Sequence, residues 1–167
     1  MKEMNTDTVE QTEQELIFTR LLAAPREVAF AVFTTSEHLA QWWGPKDWTL
    51  PVCTIDFRPG GVWHFCLRSA TGQEETWVKA VYREIVKPEL IVFTEIFADA
   101  QGNVVDELPE RLITVTFAEH QGKTKLTICI RYASAAVLQT VLAMGAIQGF
   151  KEGWDRLEAY LTRLHGK

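Results

Sequence analysis

Between Trp48 and Tyr132 the chain alternates apolar and polar residues with a period of two, and turn sequences interrupt the alternation. Successive side chains of a strand point to opposite faces, so Trp63, Phe65 and Leu67 share one side. Ile113, Val115 and Phe117 do the same in a later run, and Leu126, Ile128 and Ile130 in the next. His64, Arg68, Thr114, Thr127 and Arg131 fall on the other side. The turns Arg58-Pro59-Gly60-Gly61, Ala70-Thr71-Gly72-Gln73, Lys87-Pro88-Glu89 and His120-Gln121-Gly122-Lys123 predict consecutive antiparallel hairpins. The polar connection from Asp99 to Pro109 is longer and is expected to be the most mobile loop.

One face of such a sheet is strongly apolar and needs a cover. The last segment supplies it. Val137, Val141, Met144, Ile147, Phe150, Trp154, Leu157, Leu161 and Leu164 recur every three or four residues, the stripe of one long amphipathic helix that Ser134 can cap. Gly145, Gly149 and Gly153 lie four apart along it, each costing about 1 kcal/mol of helix stability relative to Ala. Close approach of a neighbouring element offsets such a cost, as does room left for a ligand. Before the hairpins, Glu15 to Leu22 reads as a strand. A short helix follows Pro25 through Val28, Phe30, Ala31 and Val32, and a second follows Ser36, an acceptable N-cap, and stops at Trp42-Trp43-Gly44-Pro45. The expectation is a single α+β domain over residues 15–167, with a poorly ordered polar tail over 1–14.

Composition narrows the function classes. With a net charge of −5 and scattered Lys and Arg, the chain offers no positive surface for nucleic acid. Cys53, Cys66 and Cys129 are odd in number and flanked by apolar residues, which fits free thiols in a reducing, cytoplasmic setting. The acidic N-terminus lacks the apolar stretch of a signal peptide. The most apolar window, Ala133 to Phe150, is broken by Ser134, Gln139, Thr140 and Gln148, so no membrane span is expected.

The order of strand, two short helices, meander and terminal helix resembles the helix-grip fold of the START-like superfamily. Within it, Pro25-Arg26-Glu27-Val28, His38-Leu39-Ala40-Gln41-Trp42-Trp43-Gly44-Pro45, Asp56-Phe57-Arg58-Pro59-Gly60-Gly61-Val62-Trp63 and Gly153-Trp154 with Leu157 and Tyr160-Leu161 are similar to the heat-shock-protein-90 ATPase activator homologue family. The resemblance implies a curved sheet of about seven strands around the terminal helix. It also implies an apolar cavity for a lipid- or polyketide-like molecule, which Trp42, Trp43, Trp63, Phe65, Phe117, Met144 and Trp154 would line, with Gly149 leaving room under the helix.

Candidate chemistry is sparse. His38, His64, His120 and His165 show no metal-ligand spacing, no nucleophile-elbow or phosphate-loop motif occurs, and no cofactor is implied. Lys79 and Glu95 are charged residues inside otherwise apolar strands and can enter the cavity, although a single bulge reverses a face. His64 falls opposite Trp63 and Phe65. Three readings stay open: a noncatalytic binder of a hydrophobic small molecule, an aromatase- or cyclase-like enzyme using Lys79, Glu95 and His64, and a chaperone partner in the stress response, as the family name suggests. A free sheet edge also leaves a homodimer open.

Overall fold

The structure is a computed structural model, and it describes residues 8–105 and 109–165. The alternating runs form one antiparallel sheet of eight strands, β1 Thr8–Gln11, β2 Glu15–Leu22, β3 Thr49–Ile55, β4 Val62–Arg68, β5 Glu75–Val86, β6 Leu90–Ala98, β7 Arg111–His120 and β8 Lys123–Arg131. Their order across the sheet is β1-β2-β8-β7-β6-β5-β4-β3, so the last six make a meander and β2 returns to pair with β8. Short helices α1 Arg26–Val32 and α2 Ser36–Trp42 connect β2 to β3, and α3 Ala135–Ala143 and α4 Ala146–His165 end the chain.

The inner face carries the predicted apolar residues. Trp63, Phe65, Ile113, Val115, Phe117, Leu126, Ile128 and Ile130 are all buried. Trp154, Leu157 and Leu161 of α4 pack into the same core, and Phe18 of β2 meets Phe150 and Trp154 with ring centroids 4.7 and 6.0 Å apart. The grip of sheet on helix follows directly from the match between period two and period 3.6.

Three expectations need correction. The sheet has eight strands rather than about seven, because Thr8–Gln11, expected in the tail, pairs with β2 in the register Thr8↔Thr19 to Gln11↔Leu16. This strand is four residues long and mostly exposed, so pairing with a free edge forms it without an apolar pattern. Residues 1–7 of the expected tail lie outside the described residues, as do 106–108 of the loop expected to be mobile. The N-cap of α2 is Thr35, and the Ser36 hydroxyl instead donates to the Cys53 carbonyl of β3 at 3.1 Å.

The terminal helix is two helices. Ser134 does cap the first, its Oγ accepting from the Val137 amide at 3.2 Å. The chain then leaves the helix at Gly145, whose φ of +90° lies in the left-handed region that a side chain disfavours. Apolar periodicity runs through the break because both helices bury a face on the same core.

A clasp holds the loop after α2 onto α4. Nη1 of Arg156 lies within donating distance of four backbone carbonyls, those of Trp43 at 3.4 Å, Gly44 at 3.0 Å, Pro45 at 2.9 Å and Trp48 at 3.2 Å. The Lys46 amide donates to Glu152 Oε1 at 3.1 Å. A Cβ on Gly153 would stand 3.4 Å from the Gly44 carbonyl oxygen, so this glycine is present for close approach. On the other side Arg20 of β2, itself buried, pairs with Asp155 at 3.0 Å and Glu158 at 3.1 Å.

Arg156→Met keeps the aliphatic stem and removes the charged donor, and is expected to lower stability by about 2 kcal/mol. Urea denaturation checks it, and an unchanged midpoint would show that the loop is held by other contacts. Gly145→Ala places a Cβ in the left-handed region and is expected to lower stability by about 1 kcal/mol, read by thermal unfolding.

Candidate functional site

Where the inner face of the sheet, the loop after α2 and the α3–α4 junction meet, they leave a cavity of about 360 Å³. Phe65, Leu67, Thr76, Val78, Phe97, Ile128 and Ile130 form the sheet wall. Val141, Met144, Gly145, Ala146, Gly149, Phe150, Gly153 and Trp154 form the helical side, and Phe33, Trp42, Trp43, Gly44 and Pro45 close one end. Apart from Thr76 the walls are aliphatic and aromatic, with a polar cluster of Glu95, Arg111 and Tyr132 set into them.

Glu95 on β6 and Arg111 on β7 are direct cross-strand partners. Each reaches the inner face through its own period: Glu95 is in phase with Ile91, Phe93 and Phe97, and Arg111 with Ile113, Val115 and Phe117. Arg111 Nε donates to Glu95 Oε1 at 2.8 Å, and Nη2 forms an ion pair with the same oxygen at 2.6 Å. The side chains are only 14% and 9% exposed, so each charge is desolvated and depends on the other. The guanidinium also lies 5.0 Å from the Phe97 ring centroid. Burial pushes the Tyr132 phenol up to about 12, with Arg111 opposing and Glu95 adding to the rise, so it stays protonated as a donor.

Of the residues expected around the cavity, Trp42, Trp43, Phe65, Glu95, Met144, Gly149 and Trp154 border it. Trp63 and Phe117 do not. Trp63 sits in the packed core among Trp43, Phe65, Tyr82 and Phe93, and Phe117 packs on Phe30 and Phe33. Lys79 lies on the outer face, opposite in phase to buried Val78 and Ala80, with His64 and Ile96 as its cross-strand partners. His64 is outside too, its Nε2 2.9 Å from the Asp99 carbonyl oxygen and its ring 5.1 Å from that of Trp77. The set Lys79, Glu95 and His64 therefore does not converge.

Arg111 and Tyr132 were not singled out in the sequence. The available signal was phase: Arg111 stands two residues before Ile113 and Tyr132 two after Ile130, so strand alternation carries both inward. Gly149 and Gly153 differ in role. A Cβ at Gly149 would meet only Pro45 Cγ at 3.9 Å, whereas Gly153 is pressed against backbone.

Other chemistry is not assembled. Among the described residues no group of three or more His, Cys, Asp or Glu could hold a metal ion. Burial is the main cause of raised pKa values at Cys53, Cys66 and Cys129, which leaves less thiolate at neutral pH. His38 Nδ1 lies 2.6 Å from the Tyr160 hydroxyl, but neither residue borders the cavity.

The fold and cavity have counterparts. Protein Ms6760 from Mycobacterium smegmatis is 31% identical with a TM-score of 0.85, over 94% of this chain and 98% of that one. A protein from Staphylococcus epidermidis is 28% identical with a TM-score of 0.80, over 93% of this chain and 94% of that one. Protein NE0264 from Nitrosomonas europaea, at 20% identity and a TM-score of 0.82, covers 95% of this chain and all 100% of its own, and shares the fold. No curated protein matches the chain. The family model for activator of Hsp90 ATPase homolog 1-like protein matches residues 23–162, which is most of the length, and the chain belongs to that family.

Proposed function

We propose that this protein is a noncatalytic binder of a small hydrophobic molecule, held between the inner face of the sheet and the α3–α4 junction. The observation that carries this is the cavity itself: about 360 Å³ with largely apolar walls and one small polar cluster. Small-molecule sites have this makeup, and their volumes run from roughly 300 to 1,000 Å³. Trp42, Trp43, Phe65, Met144 and Trp154 supply contact area, and Gly149 leaves the helix side open.

Binding is favoured over aromatase- or cyclase-like catalysis because proton transfer needs several groups within reach of the reacting atoms. Lys79 and His64 lie on the outer face, which leaves Glu95, paired with Arg111 through Oε1, as the single member of that set at the cavity. A chaperone-partner role is suggested by the family description alone. Its check is whether the protein binds the cognate chaperone or stimulates its ATPase. No described helix is long and apolar enough to cross a membrane, and the three free cysteines support a reducing, cytoplasmic setting.

Gly149 offers a test that separates binding from folding. Gly149→Ala adds a Cβ with only ordinary contacts on a helical residue, so it is expected to raise stability by about 1 kcal/mol. Gly149→Leu extends toward the cavity and is expected to weaken binding of an apolar probe such as 2-methylnaphthalene by about tenfold or more while circular dichroism stays unchanged. Calorimetric titration reads both variants. Equal affinity in wild type and Gly149→Leu would place the probe elsewhere, and no response to a panel of hydrophobic compounds in thermal shift or native mass spectrometry would overturn the proposal.

A further inference from the structure

The polar cluster in the cavity wall restricts what its occupant can be. The hydrogen bond from Arg111 Nε and the ion-pair contact of Nη2 converge on Glu95 Oε1. Among the described residues no hydrogen bond or ion pair engages Glu95 Oε2 or Arg111 Nη1, and Tyr132 bonds through its backbone rather than its hydroxyl. Among the described residues Arg26 Nε and Tyr82 Oη are the side-chain polar atoms that lack both solvent and a partner, and the three atoms of the cluster are not among them. The space these side chains border is the cavity. One acceptor, one charged donor and one hydroxyl thus belong to residues that line a cavity whose other side chains, Thr76 apart, are apolar.

From this we infer that the cavity takes an amphipathic molecule whose polar end is a neutral hydroxyl, an alcohol or phenol on an apolar body, docked on Glu95, Arg111 and Tyr132. The inference rests on the binding role proposed above and specifies its ligand class. A hydroxyl donates to Glu95 Oε2 and accepts from Arg111 Nη1 or from the Tyr132 hydroxyl, satisfying groups on both sides at once. Charged ends fit less well. The guanidinium and carboxylate already neutralise each other at 2.6 Å, so a ligand anion meets Glu95 Oε2 and a ligand cation meets the guanidinium. Either would bring a net charge into an apolar space without full compensation. The Tyr132 phenol, held protonated by burial, adds a donor and no charge. The aromatic surfaces of Trp43, Phe65 and Phe97 in the cavity wall suit a flat ring as the body.

The test uses four probes sharing one ring system: 2-naphthol, 2-methylnaphthalene, 2-naphthoate and 2-naphthylmethylammonium, each titrated into the full-length chain by calorimetry at neutral pH. The expected result is that 2-naphthol binds about tenfold tighter than each of the others, since its hydroxyl gains charge-assisted hydrogen bonds. The double variant Glu95→Met, Arg111→Met replaces the pair with apolar side chains of similar size. It is expected to abolish the preference for 2-naphthol while keeping affinity for 2-methylnaphthalene. Tyr132→Phe is expected to weaken 2-naphthol by about three- to tenfold and leave 2-methylnaphthalene unchanged, and it carries the test if the double variant does not fold. Equal affinity for 2-naphthol and 2-methylnaphthalene would overturn the assignment of the polar end and leave the cavity as a purely hydrophobic site. Tightest binding of 2-naphthoate or of the ammonium probe would overturn its neutrality. Binding of none of the four would overturn the binding role itself.

Discussion

Arg156 is the fixed point from which the rest of the site is measured. Its single Nη1 faces four carbonyls of the segment from Trp43 to Trp48, a segment with no regular secondary structure to satisfy them. Backbone carbonyls brought close to a packed core need donors, and a guanidinium on the neighbouring helix provides one that stays charged. Gly153 lets the two backbones approach closely enough for this contact, and Glu152 receives the Lys46 amide from the same loop. The result sets how far α4 stands from the end of α2. That distance decides where Trp42, Trp43 and Trp154 lie around the cavity.

A second constraint acts from the opposite wall. Glu95 is buried and Arg111 nearly so, and well-packed apolar residues often serve folding as well as such a pair. A buried ion pair is weak evidence of a stabilising role. In this protein it sits in the cavity wall, with one carboxylate oxygen and one guanidinium nitrogen unengaged. Phe97 packs against the guanidinium, its ring centroid 5.0 Å from Arg111 Cζ.

The helical side of the cavity is built differently from the sheet side. Helix α3 buries Leu138, while Met144 at its end is 69% exposed and still borders the cavity. Gly145, with its positive φ, then separates α3 from α4. The opening under Gly145 and Gly149 is therefore walled by a short, lightly anchored helix, whereas the sheet wall is fixed by strand pairing on both sides. Elements with few buried contacts are those that open at low free-energy cost.

The sequence by itself determined the strands of the meander, the face that each presents and the apolar stripe of the terminal segment, because side-chain direction depends only on period. The structure retained these, and with them most of the aromatic lining. Phase also carried Glu95, Arg111 and Tyr132 inward, but the partnership of Glu95 with Arg111 is a matter of register across 16 residues of chain. Register comes from turn geometry and from the shift between Tyr82 and Glu84, which no periodicity displays. Lys79 illustrates the same limit: Trp77, Val78 and Ala80 surround it with apolar residues on both faces, so burial alone could not assign it, and pairing with His64 sets it outside. Tertiary structure alone decided that Trp63 and Phe117 are core rather than cavity, that the final stripe belongs to two helices, and that β1 forms at all. Each depends on what lies opposite in space, which a one-dimensional pattern of polarity does not encode.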